Sequence, residues 1–364
     1  MATAAPSSKG IGAVVVWARQ NLFSSPLNTL LTVLGLWLLW LVLPPVFQWL
    51  WLKADFSGSS RADCTGDGAC WVFVRVHLTQ FLYGFYPAAE RWRINVGIGL
   101  LLLVALPLLL PQLRRFRRSW SLSLVAYPFI AWWLFHGGLG LSLVETGRWG
   151  GLFLTMVIAG TGMAAALPLG VVLALGRRSQ LPVVRAVCTV FIELWRGVPL
   201  ITVLFMASVM LPLFMPAGVS LDKLLRALIG VALFAGAYMA EVIRGGLQGV
   251  PAGQYEAARA LGLSYWQQMR LIIVPQALRM VVPGIVNVFI ALFKDTSLVL
   301  IIGLFDLLGI VQAAVTNPNW LGFVLEGYVF AAAVFWVFCY GMSRLSRRLE
   351  RRPEMQAGRQ QEMA

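Results

Sequence analysis

Histidine is almost missing from this chain of 364 residues, occurring only at His77 and His136. No cluster of metal ligands can be assembled from two distant imidazoles, and no Ser/His/Asp set is in evidence. The dipeptide Gly-Lys does not occur, which excludes the phosphate-cradling loop of a P-loop nucleotidase. No Gly-x-Ser-x-Gly elbow is present. The chain is therefore expected not to be an enzyme, and to hold no metal or cofactor of its own. Charge is scarce too: 12% of residues are charged and 59% are hydrophobic. Soluble domains carry about 25% charged residues, so a soluble globule of this length lacks the means to cover its surface.

What is there is a succession of long uncharged runs, each near the ~20 residues that a helix needs to cross a bilayer. Eight spans are expected: Asn28–Leu52, Ile94–Pro111, Ser119–Phe135, Leu152–Leu175, Val190–Phe214, Leu224–Ile243, Val282–Ile302 and Gly322–Tyr340. Gly197 and Pro199 make the fifth a candidate for a broken helix. The fold class is an all-α polytopic membrane protein. Lys and Arg total 29 against 15 Asp and Glu, a net charge of +14. Placing both termini in the cytoplasm puts most cations, including Arg114, Arg115, Arg177, Arg178, Arg185, Arg244, Arg259, Arg344, Arg347 and Arg348, in the inner segments. Lys53, Arg61, Arg75, Arg91, Arg93, Arg148 and Lys223 fall outside. This satisfies the positive-inside rule, so the basic balance reads as topology and not as nucleic-acid binding.

The N-terminus has no secretory-signal pattern. Cysteines are few. Cys64 and Cys70 flank a Gly-rich turn in the longest outer loop, and either a disulfide or two free thiols fits that spacing. Cys188 and Cys339 read as small apolar side chains. Trp71–Tyr86 reads as an interfacial helix on the outer surface.

The segment 244–281 is the one sizeable polar stretch between later spans. Pro251 and Gly253 open a short helix from Gln254 to about Leu261, and Gly262 closes it. Ser264 with Gln267 forms a capping box for a second helix, which Pro275 should kink or end. The plain alternative is a loop that happens to be helical. Here Glu256-Ala257-Ala258, Gly262, Ile272 and Val274-Pro275 resemble, at matching spacing, the EAA motif of ABC-importer permeases. Val274 replaces the motif's Leu. The resemblance implies a coupling helix that seats on a cytosolic ATPase, with Tyr255, Glu256, Ala257, Ala258 and Gly262 as coupling residues. It also implies that ATP and Mg are bound by that partner.

Further motifs, Glu193-Leu194-Trp195-Arg196-Gly197-Val198-Pro199, Ala237-Tyr238, Glu241, Arg244-Gly245-Gly246 and Lys294-Asp295-Thr296-Ser297-Leu298, resemble the polar amino-acid (histidine/glutamine/arginine type) permeases. Asp63-Cys64, Cys70-Trp71, Gly84-Phe85-Tyr86-Pro87 and Glu90-Arg91-Trp92-Arg93 resemble the extension of general L-amino-acid transport permeases. Three regions follow: 1–148, an extension with three spans and an outer loop; 149–345, a five-helix permease core; and 346–364, a basic cytoplasmic tail. The implied partners are a homologous permease or a second copy, two ATPase subunits, a periplasmic amino-acid-binding protein, an L-amino acid substrate and membrane lipid, in a bacterial inner membrane.

Ionisable groups inside spans are costly and are functional candidates. Lys294 and Asp295, with Thr296 and Ser297, border the translocation path or form a salt bridge that locks packing. Glu193 and Arg196, three residues apart, form a structural pair, or serve the substrate pathway as a gate or substrate contact. Glu241 and Arg244 share that spacing and brace the inner loop. The competing class is an ion-coupled secondary amino-acid transporter, which should carry inverted repeats; none is evident.

Overall fold

The computed structural model describes residues 11–109, 117–216 and 221–361. Lys9, Arg114, Arg115 and the end of the second expected span lie outside the described residues. The chain divides into two compact units, Met1–Val76 and His77–Ala364, whereas the permease resemblance begins near residue 149.

In the first unit, α1 (Ile11–Asn21) precedes α2 (Pro26–Phe47), whose start is capped by Ser25 accepting from the Asn28 N–H. α2 buries none of its residues. Its last turn, after Pro44-Pro45, widens into a π-helical turn at Gln48–Leu52, where two missing amide donors leave the α ladder incomplete. The following loop is internally hydrogen-bonded. Asp55 accepts from the Thr65 N–H and Oγ1 at 2.7 and 2.9 Å, and Trp71 Nε1 donates to the Leu50 carbonyl at 2.9 Å.

α3 (Trp71–Tyr83) is helical as expected but does not lie free on a surface. In its part within the second unit, His77 and Phe81 are buried. The reason is aromatic packing: the His77 and Phe81 rings stand 5.4 and 5.2 Å from Trp320 and Phe330.

The second unit continues with α4 (Arg91–Leu109), α5 (Arg117–His136), α6 (Gly151–Arg177), α7 (Pro182–Gly197), α8 (Leu200–Phe205) and α9 (Lys223–Gly249). The short helices α10 (Ala252–Ala260), α11 (Tyr265–Gln268) and α12 (Val274–Met280) lead to α13 (Val282–Asp295), α14 (Leu307–Val315) and α15 (Val324–Gln361). No strand occurs among the described residues.

Among the described residues, five helical stretches are long and apolar enough to cross a membrane: Pro26–Leu52, Gly151–Arg177, Lys223–Gly249, Val282–Ile302 and Val324–Arg348. The fifth expected span is broken where Gly197 and Pro199 suggested. α7 and the stretch Leu200–Phe214 meet at 102°, because Pro199 withholds a donor and Val198 is extended. The expected spans Ile94–Pro111 and Ser119–Phe135 coincide with α4 and α5, helices of 19 and 20 residues. The basic tail is not separate: α15 runs through it to Gln361.

The core is built on α6 and α9, 27 residues each, about 40 Å at 1.5 Å per residue. They touch through glycine: a Cβ on Gly170 would stand 2.6 Å from Met239 Cγ, and one on Gly236 would stand 2.4 Å from Leu169 Cδ2. Small residues at a helix seam let backbones approach where the hydrophobic effect gives no drive. The extension's second part belongs to the same core, since Tyr86, Phe135 and Trp149 pack with Phe153 and Leu154. Arg93, nearly inaccessible, ties it down by pairing with Glu90 at 2.7 Å and donating to the Ser142 carbonyl and Oγ at 2.8 Å each.

Candidate coupling surface and charge clusters

The polar loop forms its helices by the local signals its sequence carries. α10 ends with Gly262 at φ +70°, its N–H bonded to the Arg259 carbonyl and that of Leu263 to the Ala258 carbonyl. That double closure needs a left-handed residue, which glycine adopts without strain. Ser264 caps α11 with Gln267 as reciprocal partner, the Ser264 N–H donating to Gln267 Oε1 at 2.9 Å. Pro275 does not end the second helix. A π turn at Met269–Ile273 precedes it and places it in the first turn of α12, where a missing donor costs little.

The five expected coupling residues divide in two. Glu256 and Ala257 are exposed on α10, together with Leu261 at 74% and Trp266 at 70%. Ala258 is fully buried in this chain. The close approach it permits is therefore of α10 to its own protein. Tyr255 also turns inward. Its hydroxyl donates to the Leu247 carbonyl at 2.9 Å, and Arg178 Nη1 donates to Tyr255 Oη and the same carbonyl at 3.0 and 3.1 Å. The guanidinium lies 5.5 Å from the ring centroid. α10 is thereby tied to the C-terminal ends of α6 and α9.

Beside this clamp the inner charges converge differently from expectation. Glu193 and Arg196 do not pair. Glu193 takes Arg177 from α6 at 2.9 Å, while Arg196 lies over the Tyr238 ring and reaches Glu241 at 3.9 Å. Cross-helix partners are closer than the one a turn away. Glu241 and Arg244 pair directly, through both carboxylate oxygens. Arg177 also meets Glu241 at 3.3 Å, so three arginines surround one carboxylate. Arg177 and Arg178 carry this region, although charge counting marks them only as topology cations. Their place at the C-terminal end of α6, with Glu193 and Glu241 at the ends of α7 and α9, is the signal the sequence offers.

Lys294 is exposed and Asp295 half-buried, and neither makes an ion pair among the described residues. The locking salt bridge is not formed among the described residues. Thr296 is buried and donates to the Phe293 carbonyl at 2.8 Å, and Ser297 Oγ donates to that of Lys294 at 2.9 Å. Both hydroxyls thus serve the turn from α13 into a 3-10 stretch. In the loop after α2, Cys64 and Cys70 have Cα atoms 5.6 Å apart, a separation that a disulfide spans. No group of three or more metal-binding side chains occurs among the described residues.

A bundle of membrane-length helices, with the exposed helix α10 clamped to the ends of two of them, defines a multi-helix membrane protein. The chain belongs to the family described as binding-protein-dependent transport system inner membrane component, which matches residues 166–354. It is 56% identical over 351 residues to the inner membrane amino-acid ABC transporter permease protein YhdY of Escherichia coli K12, covering 95% of each chain. It is 41% identical to the glutamate/glutamine/aspartate/asparagine transport system permease protein BztC of Rhodobacter capsulatus, over 96% of this chain and 95% of that one. A crystal structure of an amino acid ABC transporter with histidines shares 30% identity, with TM-score 0.49, over 55% of this chain and 91% of that one.

Proposed function

We propose that this permease imports L-amino acids across a bacterial inner membrane, with both termini cytoplasmic, as half of a permease pair served by two ATPase subunits and a periplasmic binding protein. ATP and Mg belong to the ATPase. The observation that carries the reading is α10: Glu256 and Ala257 exposed beside Leu261 and Trp266, its other side held by Tyr255 to Arg178 and Leu247. A helix open on one side and fastened on the other passes a push from the ATPase to α6 and α9 as rigid-body motion. The loaded binding protein docks outside, ATP closes the ATPase dimer, the permease pair opens outward, and hydrolysis restores the inward-facing state.

Lys294 and Asp295 are the pathway candidates. Neighbouring helical positions point about 100° apart, so the two charges serve different partners, and a zwitterionic substrate supplies one of each sign. Cys64 and Cys70 close the outer loop as a disulfide, which suits an oxidising exterior.

The test is reconstitution of the chain with its ATPase, partner permease and binding protein, measuring amino-acid uptake. Glu256→Lys is expected to lower ATP-driven uptake more than about tenfold. Uptake from an ion gradient alone, without the ATPase, sinks the reading in favour of a secondary transporter. Lys294→Met is expected to shift substrate affinity or selectivity; an effect on expression alone removes it from the pathway.

A further inference from the structure

The last helix carries a cation cluster that neither the coupling surface nor the pathway candidates use. Tyr340, Arg344, Arg347 and Arg348 line a groove of about 250 Å³ where the uncharged run of α15 gives way to charge, after Ser343. Their spacing of three and four residues puts them on one helix face. Arg344 Nη1 donates to Tyr340 Oη at 2.9 Å, which holds one guanidinium at the mouth of the groove. None of the three arginines meets a carboxylate among the described residues, whereas Arg93, Arg177, Arg196 and Arg244 each do. One turn back, Trp336 is 64% exposed and stacks on Tyr340, ring centroids 5.1 Å apart and planes within 11°.

The sequence along this face is apolar helix, stacked aromatics, then guanidinia. Aromatic rings sit at the level of the headgroups, and guanidinia beyond them meet phosphate with a bidentate fork. Among the described residues no carboxylate lies within ion-pair distance of these three guanidinia.

We propose that this face of α15 binds the headgroup of an anionic phospholipid of the phosphatidylglycerol or cardiolipin class. The phosphate sits between Arg344, Arg347 and Arg348, and an acyl chain runs along Trp336. The proposal rests on the inner-membrane reading above and is independent of the coupling role of α10.

Native mass spectrometry of the purified full chain, given phosphatidylglycerol or phosphatidylethanolamine, tests it. The natural chain is expected to retain phosphatidylglycerol with a preference on the order of tenfold or more. The triple variant Arg344→Gln, Arg347→Gln, Arg348→Gln is expected to lose that preference, and the corresponding triple Lys variant to keep most of it. Equal retention by the natural and Gln chains overturns the proposal, as does a parallel loss in the Lys variant with a fall in melting temperature, which marks a folding defect. Excess inorganic phosphate is expected to leave the lipid bound; displacement identifies a free-phosphate site and overturns the lipid assignment. Labelling of a cysteine placed at Gln361 by an impermeant maleimide reports the topology separately. Labelling from outside removes the cytoplasmic placement while the lipid preference is still read on its own.

Discussion

Arg178 and Tyr255 are joined twice, by a hydrogen bond of 3.0 Å and by the guanidinium lying 5.5 Å from the phenol ring centroid, and both reach the carbonyl of Leu247. Three segments thus meet at one point: the end of α6, the end of α9 and the start of α10. Removing the hydroxyl with Tyr255→Phe takes away two hydrogen bonds worth about 1 kcal/mol each but leaves the ring and the exposed face of α10. The ATPase should still bind and hydrolyse, with less substrate moved per ATP. The ratio of uptake to hydrolysis in proteoliposomes measures this; an unchanged ratio removes the clamp from the coupling route.

The cluster around Glu241 predicts a graded response to charge removal. Glu241 is 25% exposed and meets Arg177, Arg196 and Arg244, while Glu193 is 55% exposed and meets Arg177 alone. Glu241→Gln leaves three guanidinia facing one another and should cost about 2–3 kcal/mol. Glu193→Gln should cost below about 1 kcal/mol. Thermal melts of the two variants in one detergent decide it, and the reverse order contradicts the geometry.

These charges also mark where sequence reading ended. The coupling loop was legible almost residue by residue, because Pro251, Gly262, Ser264 and Gln267 act through the few residues on either side. The break before Leu200 was legible for the same reason, in Gly197 and Pro199. Glu193 was assigned to Arg196 because spacing along one helix counts only that helix, whereas Arg177 arrives from α6. The inward turn of Tyr255 and Ala258 depends on which side of α10 meets the end of α9, and no local signal reports that. The π turns at Gln48–Leu52 and Met269–Ile273 follow from a neighbouring proline, whose presence announces a disturbance but not its form.

Asp306 predicts a pH dependence. It is fully buried, caps α14 by accepting from the Gly309 N–H at 2.9 Å, and burial raises its pKa to about 6 from 3.8. The folded chain therefore binds this proton more tightly than the unfolded chain, so the group's contribution to stability falls as pH rises from about 4 to about 6 and is level above. Asp306→Asn keeps a capping acceptor without the charge. Its melting temperature relative to the natural chain should rise across that window; a difference constant with pH refutes the assignment. Asp306→Ala loses the cap, at a cost of about 1–2 kcal/mol.

The outer loop gives a chemical prediction. With Cys64 and Cys70 bonded, a maleimide polymer should add to neither in the unreduced chain and to both after reduction, read as a gel shift against a Cys188→Ser, Cys339→Ser background. Cys64→Ser with Cys70→Ser should loosen the loop by about 2 kcal/mol, seen as faster proteolysis between Lys53 and Trp71. Labelling without reductant rules out the bond.

The glycine seam between α6 and α9 bears on how such a subunit moves. With Leu169 and Met239 lodged where Gly236 and Gly170 leave room for no further carbon, either helix would have to climb over a side chain in order to slide. The pair behaves as one stiff beam. Compliance is left to the 102° elbow between α7 and Leu200, so spin labels across the seam should keep their distance through a transport cycle while labels across the elbow do not.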